Sequence, residues 1–505
     1  MKKNKNKKRN FLPIAAILFG IVFILAVVIY VATKWVDATY DVDFTTLIYT
    51  LLSPLKGTGD SVVTAVLQAC LPPVFLCTGI YVLAAFAVCQ SRVRVSLTVR
   101  SGHNTDLLKW LRRIGSVFCI VSLLVSSLFC VRVLGIDTWL KNKTEETTLY
   151  EDYYIDPNAV GITADGVPKN LIYIYLESAE TTYASVAEGG AQAVNYIPNM
   201  TALANENISF SDKNGLGGFH SPAGTQWTMG AIFAATSGVP FSFPVDGNSM
   251  NLYENFASGI TALGDILENK GYRQEFLCGS NAVFGGRRQY FTQHGNYEIF
   301  DYFTAIERGY IESDYLVWWG YEDAILYEIA KDEALRLASE DGPFNLTFLT
   351  VDQHHTGGYV CEKCGNDYEE PLGNVLACSD RLLMEFIEWC KQQDFYEDTV
   401  IVISGDHPRM DTIFVDGVDY VDRTVYNCFV NTDKTVALSQ KNREFTTMDM
   451  FPTVLSAMGF EIEGDRLGLG TDLFSSRQTL AEELGYSYFQ EELSRSSLYY
   501  VTHFS

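Results

Sequence analysis

From Phe11 to Thr33 the chain reads FLPIAAILFGIVFILAVVIYVAT, an uncharged apolar run. Such a run is long enough to cross a hydrocarbon core of roughly 30 Å, and no water-exposed helix carries one. Lys2, Lys3, Lys5, Lys7, Lys8 and Arg9 precede it. A cleaved signal peptide would have a shorter apolar stretch with a small-x-small site close behind, so the run reads as an anchor. A second span is expected over Ser61–Gln90 and a third over Ile114–Ile136. Between them Arg92, Arg94, Arg100, Lys109, Arg112 and Arg113 crowd one short loop. The positive-inside rule then places Met1 and this loop in the cytoplasm, and everything after about Gly135 outside. Thr45–Gly59 is apolar but broken by Pro54 and too short to cross, and it reads as an extracytoplasmic interfacial loop.

Charge divides the chain in the same place. The formal net charge is -24, yet Met1–Leu149 holds 17 Lys+Arg against 8 Asp+Glu. The acidic excess therefore lies wholly in the remainder. With 13% aromatic and only 19% charged residues the chain cannot be disordered. A strongly acidic body repels phosphate backbones, so nucleic acid is excluded as a partner.

The body alternates two kinds of pattern. Asn170–Leu176, Arg273–Cys278, Phe344–Val351 and Thr399–Ser404 are short β-rich apolar runs. Helical periodicity falls between or after them at Pro198–Glu206, Gly259–Lys270, Tyr321–Leu337, Ser379–Lys391 and Met448–Met458. This predicts one α/β domain on a mostly parallel sheet buried on both faces. Ligands of such sheets collect at the carboxyl ends of the strands. There the sequence places Glu177-Ser178, Asp352-Gln353-His354-His355 and Gly405-Asp406-His407, with Gly224–Gly230 opening an apolar helical run. Taken singly, each acid is an ordinary cap or turn residue and the glycine stretch a plain loop. Taken together they suit metal-assisted transfer: carboxylate oxygens and a His nitrogen hold Mn2+, Mg2+ or Zn2+, and a hydroxyl beside the ion becomes a nucleophile.

Cysteines fall into two groups. Cys70, Cys77, Cys89, Cys119 and Cys130 lie in or beside the spans, where thiols behave as small hydrophobes. In the body, Cys361 and Cys364 form a C-x-x-C with Cys378 downstream. A zinc site wants a fourth nearby ligand, and Cys390 is wrongly spaced for one. A structural disulfide within this insert is the expectation, its pairing open.

NLIYIYLES, GTQWTMGAIFAATSGVP, VDQHH and SGDH resemble, in order and spacing, the membrane-anchored branch of the alkaline phosphatase/sulfatase superfamily. More narrowly they resemble the lipoteichoic acid synthase and phosphoglycerol transferase I family. The likeness runs from about Asn170 to Ser475, including FTTMDMFPTVLSAMG and GDRLGLGTDLFS. It implies an alkaline phosphatase/sulfatase-like α/β domain over 170–475, an anchor of about three transmembrane helices over 1–136, a linker over 137–169 and a tail over 476–505. It implies one divalent metal ion, Mn2+ ahead of Mg2+ or Zn2+, held by Glu177, Asp406 and His407, with a threonine as both ligand and nucleophile. It also implies that His354 and Arg287 contact the substrate. Arg287 follows Phe284 as in the synthases, but Gly285-Gly286 stand where those proteins have tryptophan. The synthases also usually carry five spans.

The implied reaction moves glycerol phosphate from phosphatidylglycerol, or a similar anionic lipid, through the threonine to a glycolipid, teichoic acid or glycan acceptor. Phosphoethanolamine transfer, a sulfatase-like hydrolase and a non-catalytic membrane-tethered binding protein are the rival readings. A sulfatase would need C/S-x-P-x-R, which Thr228-Met229-Gly230-Ala231-Ile232 lacks. Of the two threonines in GTQWTMG, Thr228 begins the apolar run and would sit at a helix N-terminus, where N–H groups favour a phosphoryl oxygen. Thr225 would lie in the preceding loop, shaping the turn or binding substrate.

Overall fold

A computed structural model of the chain describes residues 14–52, 60–90, 96–98, 104–164, 166–243 and 255–504. The basic cluster before Phe11, Pro54, Arg92, Arg94 and Arg100 lie outside these residues. The chain forms two compact units, one of residues 1–40 and 60–138, the other of 41–59 and 139–505.

The first unit is built on α1 (Ile14–Thr39), α3 (Asp60–Gln90) and α4 (Leu107–Val133). Each contains a stretch long and apolar enough to cross a membrane. Their outward faces expose Ile17, Leu25, Phe75, Leu83, Phe118 and Leu128, an apolar surface suited to lipid. Tyr81 of α3 packs on α1 at Gly20, where any Cβ would meet the ring at 2.7 Å, and its hydroxyl donates to the Ala16 carbonyl. The third span starts earlier than expected: Lys109, Arg112 and Arg113 lie on the first turns of α4, not in a loop. Long basic side chains lie along a helix end without entering hydrocarbon, so charge did not mark the helix start.

The second unit is an α/β domain. Its six-stranded sheet comprises β1 (Asn170–Leu176), β2 (Arg273–Cys278), β3 (Glu298–Phe300), β4 (Phe344–Leu349), β5 (Thr399–Gly405) and β6 (Asn427–Val430), in the order β3-β2-β4-β1-β5-β6. All neighbours are parallel except β5 and β6. The strands' period-2 pattern sorts side chains into two cores. Leu171, Tyr173 and Tyr175 of β1 join one with Val400 and Val402, while Ile172, Ile174 and Leu176 join the other with Ile401 and Ile403. Helices α5 (Pro198–Glu206), α6 (Thr228–Ser237), α7 (Leu263–Asn269), α8 (Arg287–Gln293), α9 (Asp323–Ser339), α10 (Pro371–Cys390) and α11 (Met450–Ala457) cover the faces.

Four expectations meet the structure here. The segment Thr45–Gly59 overlaps a nine-residue helix, α2 (Phe44–Leu52), that belongs to the second unit. Within the expected tail, 476–505, α12 (Leu480–Leu484), α13 (Tyr486–Ser494) and α14 (Leu498–His503) bury Leu480, Phe489, Leu493, Tyr500 and Phe504 in the first core. Leu149 and Tyr150 of the expected linker join them. No disulfide links Cys361, Cys364 and Cys378, whose sulfurs are unbonded.

Candidate active site

The register of β1 against β5 pairs Leu176 with Gly405. The next residue on each strand is a carboxylate, so parallel pairing alone sets Glu177 beside Asp406. Gly405 is needed at this point: a Cβ there would lie 2.1 Å from the Ala179 carbonyl, closing the space through which the chain leaves β1. The backbone then fixes both acids. Asp406 Oδ1 accepts from the Ser178 N–H at 2.7 Å and the His407 N–H at 2.8 Å. Ser178 donates its hydroxyl to Glu177 Oε1 at 2.7 Å, and Thr350, just past β4, accepts from the Glu177 N–H.

His407 lies 2.8 Å by Nδ1 from the Pro408 carbonyl, which can only accept. The proton is therefore on Nδ1, and Nε2 presents a lone pair to the acids, 3.4 Å from Asp406 Oδ2 and 3.9 Å from Glu177 Oε1. One atom from each of Glu177, Asp406 and His407 falls within 4.8 Å of the others, and all three side chains are buried. Burial, then the neighbouring Asp406, pushes the Glu177 carboxyl up; burial pushes Asp406 up to about 7. Burial also lowers His407. Asp406 Oδ2 is buried without a hydrogen-bond partner. Two crowded carboxylates, an orphaned oxygen and an imidazole lone pair fit a divalent cation, which would satisfy all of them at once.

Thr228 is the first residue of α6. Its hydroxyl is 3.4 Å from Glu177 Oε2 and 3.5 Å from His407 Nε2, and its side chain is only half-buried. Trp227 before it supplies no side-chain cap to the first turn. Gly230 lets that turn press on the preceding loop, since a Cβ would sit 2.7 Å from the Gly224 carbonyl and 2.8 Å from the Trp227 ring. Thr225 is elsewhere. It is fully buried, with its hydroxyl on the Pro222 carbonyl at 2.8 Å and on Ser221 Oγ at 2.9 Å. Gln226 faces α2, where its Oε1 accepts from Thr46.

His354 holds Nδ1 2.6 Å from the His355 carbonyl, which leaves Nε2 unprotonated, and burial lowers its pKa. Its ring lies 4.8 Å from that of Trp319, which in turn lies 5.3 Å from Phe284. Arg287 stands at the start of α8 behind Phe284. Its Nε and Nη2 bond the Phe284 carbonyl, Ser280 Oγ and the Asn281 carbonyl, so three of its five N–H donors hold the loop.

Several participants escaped the sequence reading. Trp319 links His354 to the Phe284 turn, and only the rare Trp-Trp-Gly string marked it. Arg409 is fully buried; it clamps Asp411 through two 2.6 Å bonds and donates to the Gln353 carbonyl, bracing the Asp406 segment against the one carrying His354. Glu180 accepts from Arg423 and from the Arg409 N–H. Its position three residues past Glu177 was the available signal.

The Sulfatase family model matches residues 169–460, more than half of the chain. The chain belongs to the sulfatase family. Among relatives of this sulfatase-family chain, phosphoglycerol transferase I of Xanthomonas axonopodis pv. citri is 31% identical over 318 residues, covering 61% of this chain and 43% of that protein. The Salmonella paratyphi B protein of the same name is 33% identical over 346 residues, covering 65% and 42%. The chain thus spans less than half the length of these curated relatives. A solved structure of an alkaline phosphatase superfamily protein from Vibrio parahaemolyticus superposes with a TM-score of 0.50 at 23% identity, covering 65% of this chain and 76% of that one. The expected alkaline phosphatase/sulfatase-like α/β fold is thereby established.

Proposed function

We propose that this chain is a membrane-tethered, metal-dependent phosphoglycerol transferase with its catalytic domain outside the cell membrane. The observation that carries the reading is the placement of the Thr228 hydroxyl, half-exposed at a helix N-terminus, within 3.4–3.5 Å of Glu177 and His407. The 31% and 33% identical relatives named phosphoglycerol transferase I supply the substrate class.

A divalent ion held by Glu177, Asp406 and His407, Mn2+ by preference, would lower the proton affinity of a nearby hydroxyl and offset charge on a phosphodiester. Thr228 Oγ1 attacks the phosphorus of an anionic lipid such as phosphatidylglycerol. The P–O bond to diacylglycerol breaks, and the departing oxygen takes up a proton. The N-terminus of α6, where Thr228 stands, favours the negative phosphoryl oxygens. An acceptor hydroxyl on a glycolipid, teichoic acid or glycan then attacks the phosphoglyceryl-threonine and restores Thr228. His354, whose Nε2 carries no proton of its own, would contact the substrate by accepting from an attacking hydroxyl. The two Nη1 donors of Arg287 remain for the head group. Tethering suits a donor confined to the bilayer.

The test is mass spectrometry of the active-site peptide after incubation with phosphatidylglycerol vesicles and Mn2+. A phosphoglyceryl adduct on Thr228 is expected, absent in Thr228→Ala and retained in Thr225→Ala if that variant folds. An adduct formed only from phosphatidylethanolamine would assign the other head group. None from either lipid would remove the transferase reading.

A further inference from the structure

Outside this site lies a second cluster of metal-ligating groups. Cys361 and Cys364 occupy the segment between β4 and α10, and Cys378 projects from α10. The C-x-x-C turn is closed by the Cys364 N–H on the Cys361 carbonyl at 3.0 Å. Cys361 Sγ is 3.6 Å from Cys364 Sγ and 3.9 Å from Cys378 Sγ, and all three sulfurs lie within 4.8 Å of one another.

A disulfide would bring two of these sulfurs to about 2.05 Å and leave the third aside. Here neither pair is bonded, and Cys361 is nearly equidistant from both others. Thiolates at about 2.3 Å from a tetrahedral ion are separated by about 3.8 Å, because a tetrahedral edge is about 1.6 bond lengths. The two closest spacings bracket that value. We infer that Cys361, Cys364 and Cys378 bind a zinc ion as thiolates, with water in the fourth position.

Charge supports the same occupant. Three thiolates around a divalent cation leave one net negative charge. Arg381, one turn beyond Cys378 on α10, places Nη2 3.5 Å from Cys378 Sγ and 2.6 Å from the Lys363 carbonyl. It thus balances the cluster and ties the C-x-x-C loop to the helix. Soft sulfur ligands select zinc over Mn2+ or Mg2+, so the chain would hold two sites of different chemistry. The absence of a fourth protein ligand among the described residues, which the sequence spacing held against zinc, leaves a three-ligand site. Its place in the fold gives it a positioning role. The loop that it fastens to α10 begins at the end of β4 and carries His354. The assignment does not depend on the transferase reading.

The experiment uses the full chain purified in detergent without chelator or reductant. Alkylation after denaturation should find Cys361, Cys364 and Cys378 all as thiols without prior reduction. Zinc content should fall by about one equivalent per chain in Cys361→Ser and Cys378→Ser, and stay unchanged in Glu177→Ala. Metal-depleted wild type titrated with Co2+ should develop a thiolate-to-cobalt charge-transfer absorption. That band should persist in Glu177→Ala and vanish in Cys364→Ser, whose half-buried position keeps the variant foldable. A disulfide between any two of the three overturns the site, as does wild type that shows no such band.

Discussion

Asp472 shows how burial, more than any partner, gives this domain a pH response. Its carboxyl is buried, accepts from the Phe474 N–H at 3.0 Å and is pushed up to about 7 by that burial. In the unfolded chain an aspartate releases its proton near pH 4, so between about 4 and 7 the folded state binds more protons and stability falls as pH rises. Asp472→Asn keeps the neutral form. Its melting temperature should match wild type near pH 4 and exceed it increasingly toward pH 8, by up to about 1.4 kcal/mol per pH unit inside the window. A difference that does not change with pH would refute this. Asp406 is pushed up to about 7 for the same reason, and its buried Oδ2 has no hydrogen-bond partner. Metal-free Asp406→Asn should melt at or above metal-free wild type and, unlike wild type, gain nothing from added Mn2+. A Mn2+-dependent rise in the variant equal to that of wild type would remove Asp406 from the ligand set. At this scale the sequence told part of the story. Glu177, Asp406 and His407 were readable because they follow strands directly. Trp319 and Arg409 were not, because each acts through a contact made by a distant segment.

The elements divide by how their cores are made. β1 and β2 have the bounds expected from their apolar runs, since a strand buried on both faces is a continuous apolar string. β3 and β6 were missed: three and four residues are too few for a pattern, and β6 runs antiparallel at the sheet edge. Helix α10 begins at Pro371, eight residues before its expected start, because Leu372, Val375 and Leu376 bury a stripe that the polar residues between them obscured. The C-terminal helices misled for a related reason. Their apolar residues are sparse, yet five large side chains enter the core. Ending the chain at Ser475 would remove Leu480, Phe489, Leu493, Tyr500 and Phe504 and bare the core surface they cover, forfeiting about 1.5–3 kcal/mol of burial for each. That total, on the order of 10 kcal/mol, rivals the whole net stability of a domain. The truncated protein should lose its cooperative melting transition, and retention of that transition within a few degrees of full length would contradict the packing. Gly230→Ala tests α6 more gently. The added methyl has no room against Gly224 and Trp227, and overpacking of this kind costs about 1–3 kcal/mol. Turnover should drop at least tenfold through displacement of Thr228 while the fold survives, and unchanged turnover would show that the first turn of α6 tolerates the shift.

On the scale of the whole molecule, the charge asymmetry and three apolar helices predict a cytoplasmic N-terminus and an outer catalytic domain. Protease added to intact cells should digest a tag placed at Ser505, and a tag cleaved only after lysis would invert the topology. The second unit also draws on chain from between the first two spans. Asp41 meets the buried guanidinium of Arg423 at 2.8 Å, and its N–H donates to the Met410 carbonyl. These partners lie 382 residues apart, which at about 5–20 residues per second is on the order of 20–80 s of synthesis. The segment around Asp41 is thus among the first parts of the second unit to be made, and its contact with Arg423 can form only once the rest has been synthesised. A chain stalled before Arg423 therefore holds Asp41 without the guanidinium it pairs with in the finished unit, for as long as the stall lasts.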